Sequence, residues 1–314
     1  MIAEEQPGDI YTATIYPALP GIDVHSLHEA ESSVLHAIPH LRIDTVNACN
    51  LNCVFCHTDF SAGIKHMETD DFAFVMSPAT LPCLKMITLG CAFEPLLGKH
   101  FDEFPSIIQR QRGKITVEIV TNGTLLHKKD LVPWVELGLT KLYVSVFSHI
   151  DFVYERTGRG GARLQQIETN LLNVRKRFPN IEIVLVNPVC KANDVDLPGF
   201  CRWAFEHIGA SSVDIRRAFF VDNPSPGHPA FTYKTAATEE LGRSPVLTDV
   251  EWKMILQSCS KYISGPPTCL NVPTSEINFD SVRLDPLIRT RIGMAKFLGR
   301  ISFLFRGIRG TLRV

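Results

Sequence analysis

Six times along this chain a short apolar, often β-branched run is followed by a stretch of helical periodicity. No other feature constrains the fold as much. The runs lie at 41–46, 84–89, 115–121, 142–147, 181–186 and 213–220. The helical patterns lie at 70–81, 101–112, 128–137, 162–178 and 197–207, with a closing helix at 252–262. A hydrophobic period near two marks the first kind and one near 3.6 the second. The 162–178 pattern carries Leu164, Ile167, Leu171, Leu172 and Val174, and Pro179 ends it. Pro133 fits a helix over 128–137 only in its first turn, where its missing N–H is not needed.

Repeated strand–helix units imply a parallel sheet, because parallel neighbours need a long crossover. Such a sheet has two forms. A doubly wound open sheet binds its ligand where the strand order reverses. A barrel, full or partial, binds it at the carboxyl ends of its strands. Each unusual residue cluster in this sequence stands just after a strand, which favours the barrel. We expect an α/β chain folded as a partial (β/α)6, TIM-like barrel at 38–225. Residues 1–37 read as an N-terminal extension, with Pro7, Pro17 and Pro20 as breakers. Residues 226–280 read as a long loop and the closing helix, and 281–314 as a basic amphipathic tail.

The cluster after the first run is the most specific. Cys49, Cys53 and Cys56 stand in C-x3-C-x2-C spacing. Three chemistries compete for them. A structural zinc site would recruit His57, but zinc ligands usually come as two separated pairs. Haem attachment would use the literal C-x-x-C-H at 53–57, yet it needs an exported setting and leaves Cys49 without a role. An iron–sulfur cluster suits soft thiolates. Three cysteines leave one iron of a cubane without a protein ligand, and an open metal position is a mark of chemistry rather than of scaffolding. Phe55, beside the last cysteine, is placed to shield such a cluster from water.

At this point the loop resembles the signature of the radical S-adenosylmethionine (SAM) superfamily, C-x3-C-x-aromatic-C after the first strand of a partial barrel. The resemblance implies a [4Fe–4S] cluster on Cys49, Cys53 and Cys56, with SAM on the open iron. It also implies reductive cleavage of SAM to a 5'-deoxyadenosyl radical that takes a hydrogen atom from a substrate, and an external one-electron reductant such as flavodoxin or ferredoxin. Other stretches match in order. Gly90-Cys91-Ala92-Phe93-Glu94-Pro95-Leu96-Leu97 is similar to the family's Gly-Gly-Glu-Pro motif, although three residues separate Gly90 from Glu94. It implies that Gly90 and Glu94 receive the SAM ammonium. Thr121-Asn122-Gly123-Thr124-Leu125-Leu126 resembles a turn that passes near SAM, which brings in Asn122. Ser145 matches a ribose contact, while Phe147 stands where the family often has Asp, with Ser148 beside it. Arg159, or Arg156, corresponds to a partner of the SAM carboxylate. Val186, Asn187 and Pro188 fall where adenine packs. Cys91, inside the SAM loop, is a candidate hydrogen-atom donor to a product radical. The competing class is a non-catalytic iron–sulfur or zinc protein on the same fold.

Charge and cysteine usage narrow the setting. The start of the chain is acidic and lacks the pattern of a secretory signal, which favours a cytoplasmic location. Nine cysteines in such a location argue for metal or redox chemistry over a disulfide framework. Cys259 and Cys269 are too few to hold a second cubane alone, and most of the remaining cysteines read as small buried hydrophobes. Residues 281–314 hold eight Lys or Arg and one Asp, 8 − 1 = +7, against −1 − 7 = −8 for the rest. Over 291–314 the apolar residues fall on one helical face and the basic ones opposite. That pattern suits an anionic membrane surface, docking on the barrel or a partner protein, and the first of these would place the chain at the inner face of a membrane. No nucleic-acid-binding module is visible. No motif identifies the substrate.

Overall fold

The computed structural model describes residues 12–15, 38–56, 63–158, 161–218, 245–263 and 270–271. The basic tail, His57, Arg159 and Cys269 lie outside them. In chain order the elements are β1 (Thr12–Ile15), β2 (His40–Ile43), α1 (Thr69–Met76), β3 (Met86–Leu89), α2 (Phe104–Arg112), β4 (Thr116–Thr121), α3 (Val132–Leu137), β5 (Leu139–Ser145), α4 (Asp151–Gly158), α5 (Leu164–Arg177), β6 (Glu182–Val189), α6 (Leu197–Arg202), β7 (Ser212–Arg217), α7 (Asp249–Ser258), α8 (Ser260–Ile263) and β8 (Leu270–Asn271).

The strands stand side by side in sequence order, and every pairing is parallel. Strands β2 to β7 are the six expected from the apolar runs. Two short strands extend the edges: β1 pairs with β2 and β8 with β7. No pairing joins β1 to β8 among the described residues, so the barrel is partial. Residues 12–15, expected as part of a loose extension, add a strand because the free edge of β2 offers unpaired backbone groups.

The two faces of the sheet differ. Leu41, Ile43, Ile87, Leu89, Val117, Ile119, Leu142, Val144, Ile183, Leu185, Val213 and Ile215 are buried and form the main core with the helices. Trp134 of α3 is fully buried there, against Phe101, and Phe104 of α2 stacks on Phe72 of α1. The alternate positions, which face the opposite side, carry Arg42, Thr88, Glu118, Lys141, Tyr143 and Arg216.

Helix starts follow local chemistry. Pro133 lies in the first turn of α3, as expected. Thr248 and Glu251 close a reciprocal capping box at the start of α7. Helix α4 has no counterpart among the expected helices. Gly158 reads in sequence as part of the approach to the long helix, but it ends α4, and the long helix begins at Leu164.

Candidate functional site

The loops at the carboxyl ends of β2, β3 and β4 are held together by hydrogen bonds, and two buried carboxylates lie at their junctions. Asp44 directly follows β2 and is 1% exposed. Its Oδ1 accepts the backbone N–H of Cys91 at 2.7 Å and of Phe93 at 3.3 Å, and its Oδ2 accepts that of Ala92 at 3.2 Å. The 91–93 segment thus wraps around one carboxylate. Glu94, also 1% exposed, accepts from Leu96 N at 3.1 Å and Thr121 Oγ1 at 2.7 Å through Oε1. Its Oε2 accepts from Asn122 N at 2.7 Å. Burial raises both groups to about 7, against the opposing effect of these donors.

The carboxylate of Glu94 is buried and engaged by three protein donors, so it ties the loop after β3 to the end of β4. Gly90 has φ +81°, and a Cβ there would lie 2.4 Å from the carbonyl oxygen of Val120. Only glycine suits that turn.

The thiol loop is fixed at several points. Glu94 N donates to Ala48 O at 2.9 Å, Asn52 N to Gly158 O at 3.2 Å and Val54 N to Thr157 O at 3.0 Å. Asn50 Nδ2 reaches Thr124 Oγ1 at 2.8 Å. Asn122 Nδ2 donates to Asn50 Oδ1 at 2.8 Å and lies 3.6 Å from Cys49 Sγ. Leu51 N lies 3.4 Å from the same sulfur. Cys49, Cys53 and Cys56 are all half-buried. Burial, first of all, pushes the Cys49 thiol up to about 11 and the Cys53 thiol well above its ordinary value, and the neighbouring cysteines push the same way. Neighbouring thiols raised in this way ionise together only if a cationic centre offsets their repulsion.

Phe55 meets Phe147 edge-to-face at 4.9 Å, and Phe147 stacks on Tyr154 at 5.6 Å. Phe147, standing where an Asp was to be expected, therefore forms an aromatic wall beside the thiols. Tyr154, on the unforeseen α4, is fully buried, and its hydroxyl has no partner among the described residues. Its pKa is raised, chiefly by burial and then by Cys53, Cys49 and Glu94. Asn187 is fully buried; its Oδ1 accepts from Asn193 Nδ2 at 3.0 Å, and its own Nδ2 has no partner among the described residues. Ser145 ends β5, half-buried. Arg156 donates to Ala192 O at 2.7 Å, which commits it to the loop after β6.

Among the described residues no three His, Cys, Asp or Glu side chains converge as the ligands of one metal ion would. A cluster offers its irons at separate corners, so its cysteines need not meet at a point. The donor set fits a cluster: three thiols, with N–H groups directed at a sulfur. The unpartnered Tyr154 hydroxyl and Asn187 amide leave polar capacity for a polar ligand nearby. Of the other cysteines, Cys190, Cys201 and Cys259 are buried, as expected of small hydrophobes, whereas Cys83 is exposed.

Asp44, Thr121 and Tyr154 are site residues that the sequence reading does not single out. Asp44 has a visible signal, a lone acid between Ile43 and Val46 in an apolar run. Tyr154 has a weaker one, the spacing of Val153, Tyr154 and Thr157.

The sequence model of the Radical SAM superfamily matches residues 43–203, just over half of the 314-residue chain. A GTP 3',8-cyclase of Stenotrophomonas maltophilia (strain R551-3) is 34% identical over 139 residues, 43% of this chain and 41% of that protein. The chain thus spans less than half the length of that curated relative. Streptococcus suis SuiB bound to S-adenosylmethionine superposes with a TM-score of 0.56 at 13% identity, over 79% of this chain and 53% of that one. A mutant spore photoproduct lyase superposes with a TM-score of 0.51 at 13% identity, over 82% of this chain and 86% of that one. At such identities the two structures establish the fold alone.

Proposed function

Because the chain belongs to the radical SAM superfamily, we propose that Cys49, Cys53 and Cys56 hold its [4Fe–4S] cluster and that the loops after β3 to β6 receive SAM. The observation that carries this reading is the thiol loop itself: three cysteines at the mouth of the partial barrel, with two N–H groups directed at Cys49 Sγ. When bound and reduced, the cluster supplies the electron that cleaves SAM to a 5'-deoxyadenosyl radical.

The chain's own residues do the rest. Asp44 and Glu94 shape the loop after β3, so that backbone groups of 90–93 are presented to the cofactor. Asn122 links that loop to Cys49. Phe55, Phe147 and Tyr154 keep water from the thiols. Ser145 and Asn187 are placed for the polar and flat parts of the nucleoside, and Cys91 for a hydrogen atom. The reductant is external, a flavodoxin- or ferredoxin-like protein. The likeness to a GTP 3',8-cyclase makes GTP the first compound to try.

The test is anaerobic. The protein is reconstituted with iron and sulfide, reduced, given SAM and assayed for 5'-deoxyadenosine. A cluster without SAM cleavage would favour the competing, non-catalytic reading. Cys53→Ala is expected to lose the cluster iron, and full iron content in that variant would refute the ligand assignment. No helix of the described residues is long and apolar enough to cross a membrane. For the basic segment 281–314 we propose contact with an anionic bilayer surface. Liposome flotation with and without residues 290–314 tests it, and equal flotation removes it.

A further inference from the structure

The end of the sheet away from the thiols holds a feature that the site at the mouth does not use. There the chain enters β3, β4 and β5 side by side. Thr116 N donates to Lys85 O at 3.1 Å and Val117 N to Gly138 O at 2.9 Å, so the three entries are bonded to one another. Between them lies a cleft of about 690 Å³, within the range of small-molecule sites. It is remote from the thiol loop. Thr116 lines it, whereas Thr121, further along β4, donates to Glu94 at the mouth. At roughly 3.3 Å per residue the two ends lie about 17 Å apart along the strand.

Lys85, Arg110, Arg112 and Lys114 line this cleft, and among the described residues no Asp or Glu does. None of the four forms an ion pair among the described residues. Elsewhere the chain pairs its cations: Lys129, Lys141, Lys191 and Arg217 each face a carboxylate at 2.6 to 3.4 Å. The local backbone offsets part of the charge. Helices α2 and α3 end at the cleft, with Gly113 and Gly138 as their caps. A helix C-terminus is equivalent to about half a negative charge, so the two together offset about one cation of the four. Like charges around one concave surface repel, and their summed field draws anions in. The amino-terminal end of a barrel ordinarily serves stability, which an unbalanced group of cations does not.

Arg112 anchors the group. Its Nη2 donates to Ser77 O and to Leu81 O, both at 2.7 Å, which fixes the guanidinium plane. Its Nε is buried and has no partner among the described residues. A buried donor without an acceptor is costly, and native structures rarely keep one unless a ligand or water completes it. A fixed guanidinium flanked by lysines is a donor set that suits phosphate oxygens. We infer that this cleft is a binding site for a small molecule bearing an oligophosphate group. Arg112 donates to one phosphate, and Lys85, Arg110 and Lys114 balance the remaining charge. The cleft does not touch the thiol loop, so the assignment holds whatever the cysteines carry.

The test is titration calorimetry of the full-length protein at low salt, with inorganic triphosphate and ADP as probes, followed by hydrogen–deuterium exchange. At least one probe is expected to bind. Tighter binding of triphosphate would mark a free oligophosphate as the ligand, and tighter binding of ADP a nucleotide. Protection on binding should appear over 78–85 and 110–116 and not over 90–97. Lys85→Gln and Lys114→Gln change exposed side chains, so urea midpoints should stay at the wild-type value. Each should weaken binding by about tenfold, the size of a lost charge-assisted contact. Arg112→Lys, which keeps the charge without the fork, should also bind more weakly than wild type. Lys128→Gln makes the same change of charge at an exposed lysine outside the cleft and should leave the affinity unchanged. Four results would overturn the assignment: no binding of either probe, protection confined to 90–97, a loss in Lys128→Gln equal to that in the cleft variants, or a polyglutamate peptide binding in preference to both probes. The last would give the cleft to an acidic protein partner.

Discussion

Glu94→Gln separates two roles for the buried acid in the loop after β3. At pH 8, above its raised pKa of about 7, the carboxylate is ionised and accepts from Leu96 N, Thr121 Oγ1 and Asn122 N. Glutamine keeps the shape and replaces one acceptor oxygen by a donor. With its oxygen at the Oε1 position, the amide NH2 faces the Asn122 N–H, donor to donor. With its oxygen at the Oε2 position, Leu96 N loses its acceptor, and Thr121 Oγ1, which already accepts from Gly123 N at 3.0 Å, must accept again. Either way one buried backbone N–H is stranded, at a cost of about 1–3 kcal/mol. Urea unfolding of wild type and variant at pH 8 should show that loss, and SAM affinity measured by equilibrium dialysis should fall less than tenfold. Wild-type stability together with a tenfold or greater loss of SAM affinity would refute the reasoning and place Glu94 on the cofactor ammonium.

Two further outcomes follow from the same region. Asp44 has a folded-state pKa of about 7 against an ordinary 3.8, so its contribution to stability is full below about pH 4 and is lost as pH rises through about 7. Between pH 5 and 7 the wild type should lose stability relative to Asp44→Asn by up to about 1.4 kcal/mol per pH unit. Parallel urea midpoints for the two proteins across that range would contradict the assignment. Phe147→Ala removes a side chain 2% exposed that contacts both Phe55 and Tyr154, at a cost of about 3–5 kcal/mol. It should also speed the bleaching of the cluster's visible absorbance in air, and bleaching at the wild-type rate would deny the aromatic wall its shielding role.

Much of this architecture is legible in the sequence, for a physical reason. Strands buried against helices must be apolar on that face, so runs such as Thr116–Thr121 declare themselves. Strand ends are less legible. The fourth apolar run points to 142–147, whereas β5 spans Leu139–Ser145, because Leu139 follows Gly138 directly and pairing with Val117 starts there. Helix α4 escapes a sequence reading because its buried side includes Thr157 and Gly158, which carry no hydrophobic signal. The edge strands depend on partners far away in sequence, as in Thr12 opposite His40. The cysteine spacing is plain, since ligand chemistry fixes it locally. The bonds of Asp44 and Glu94 are not, since the donors belong to the backbone of other loops. The charged row on the other face of the sheet is masked by ordinary alternation: Arg42, Glu118 and Lys141 read as solvent-facing residues, and only the strand register sets them in one row.

The anchoring of the thiol loop bears on how such a protein is assembled. Its fixed points are bonds within the chain: Ala48 to Glu94, Asn50 to Thr124, Val54 to Thr157. In small metal-binding domains the energy of ligation is the energy of folding, and removing the metal unfolds the chain. This loop draws its shape from three neighbouring elements and a core that contains none of its sulfurs' ligation energy. The fold is therefore expected to outlast removal of a cluster from this loop, and circular dichroism of the protein before and after iron chelation checks it; loss of the helical signal on chelation would contradict it.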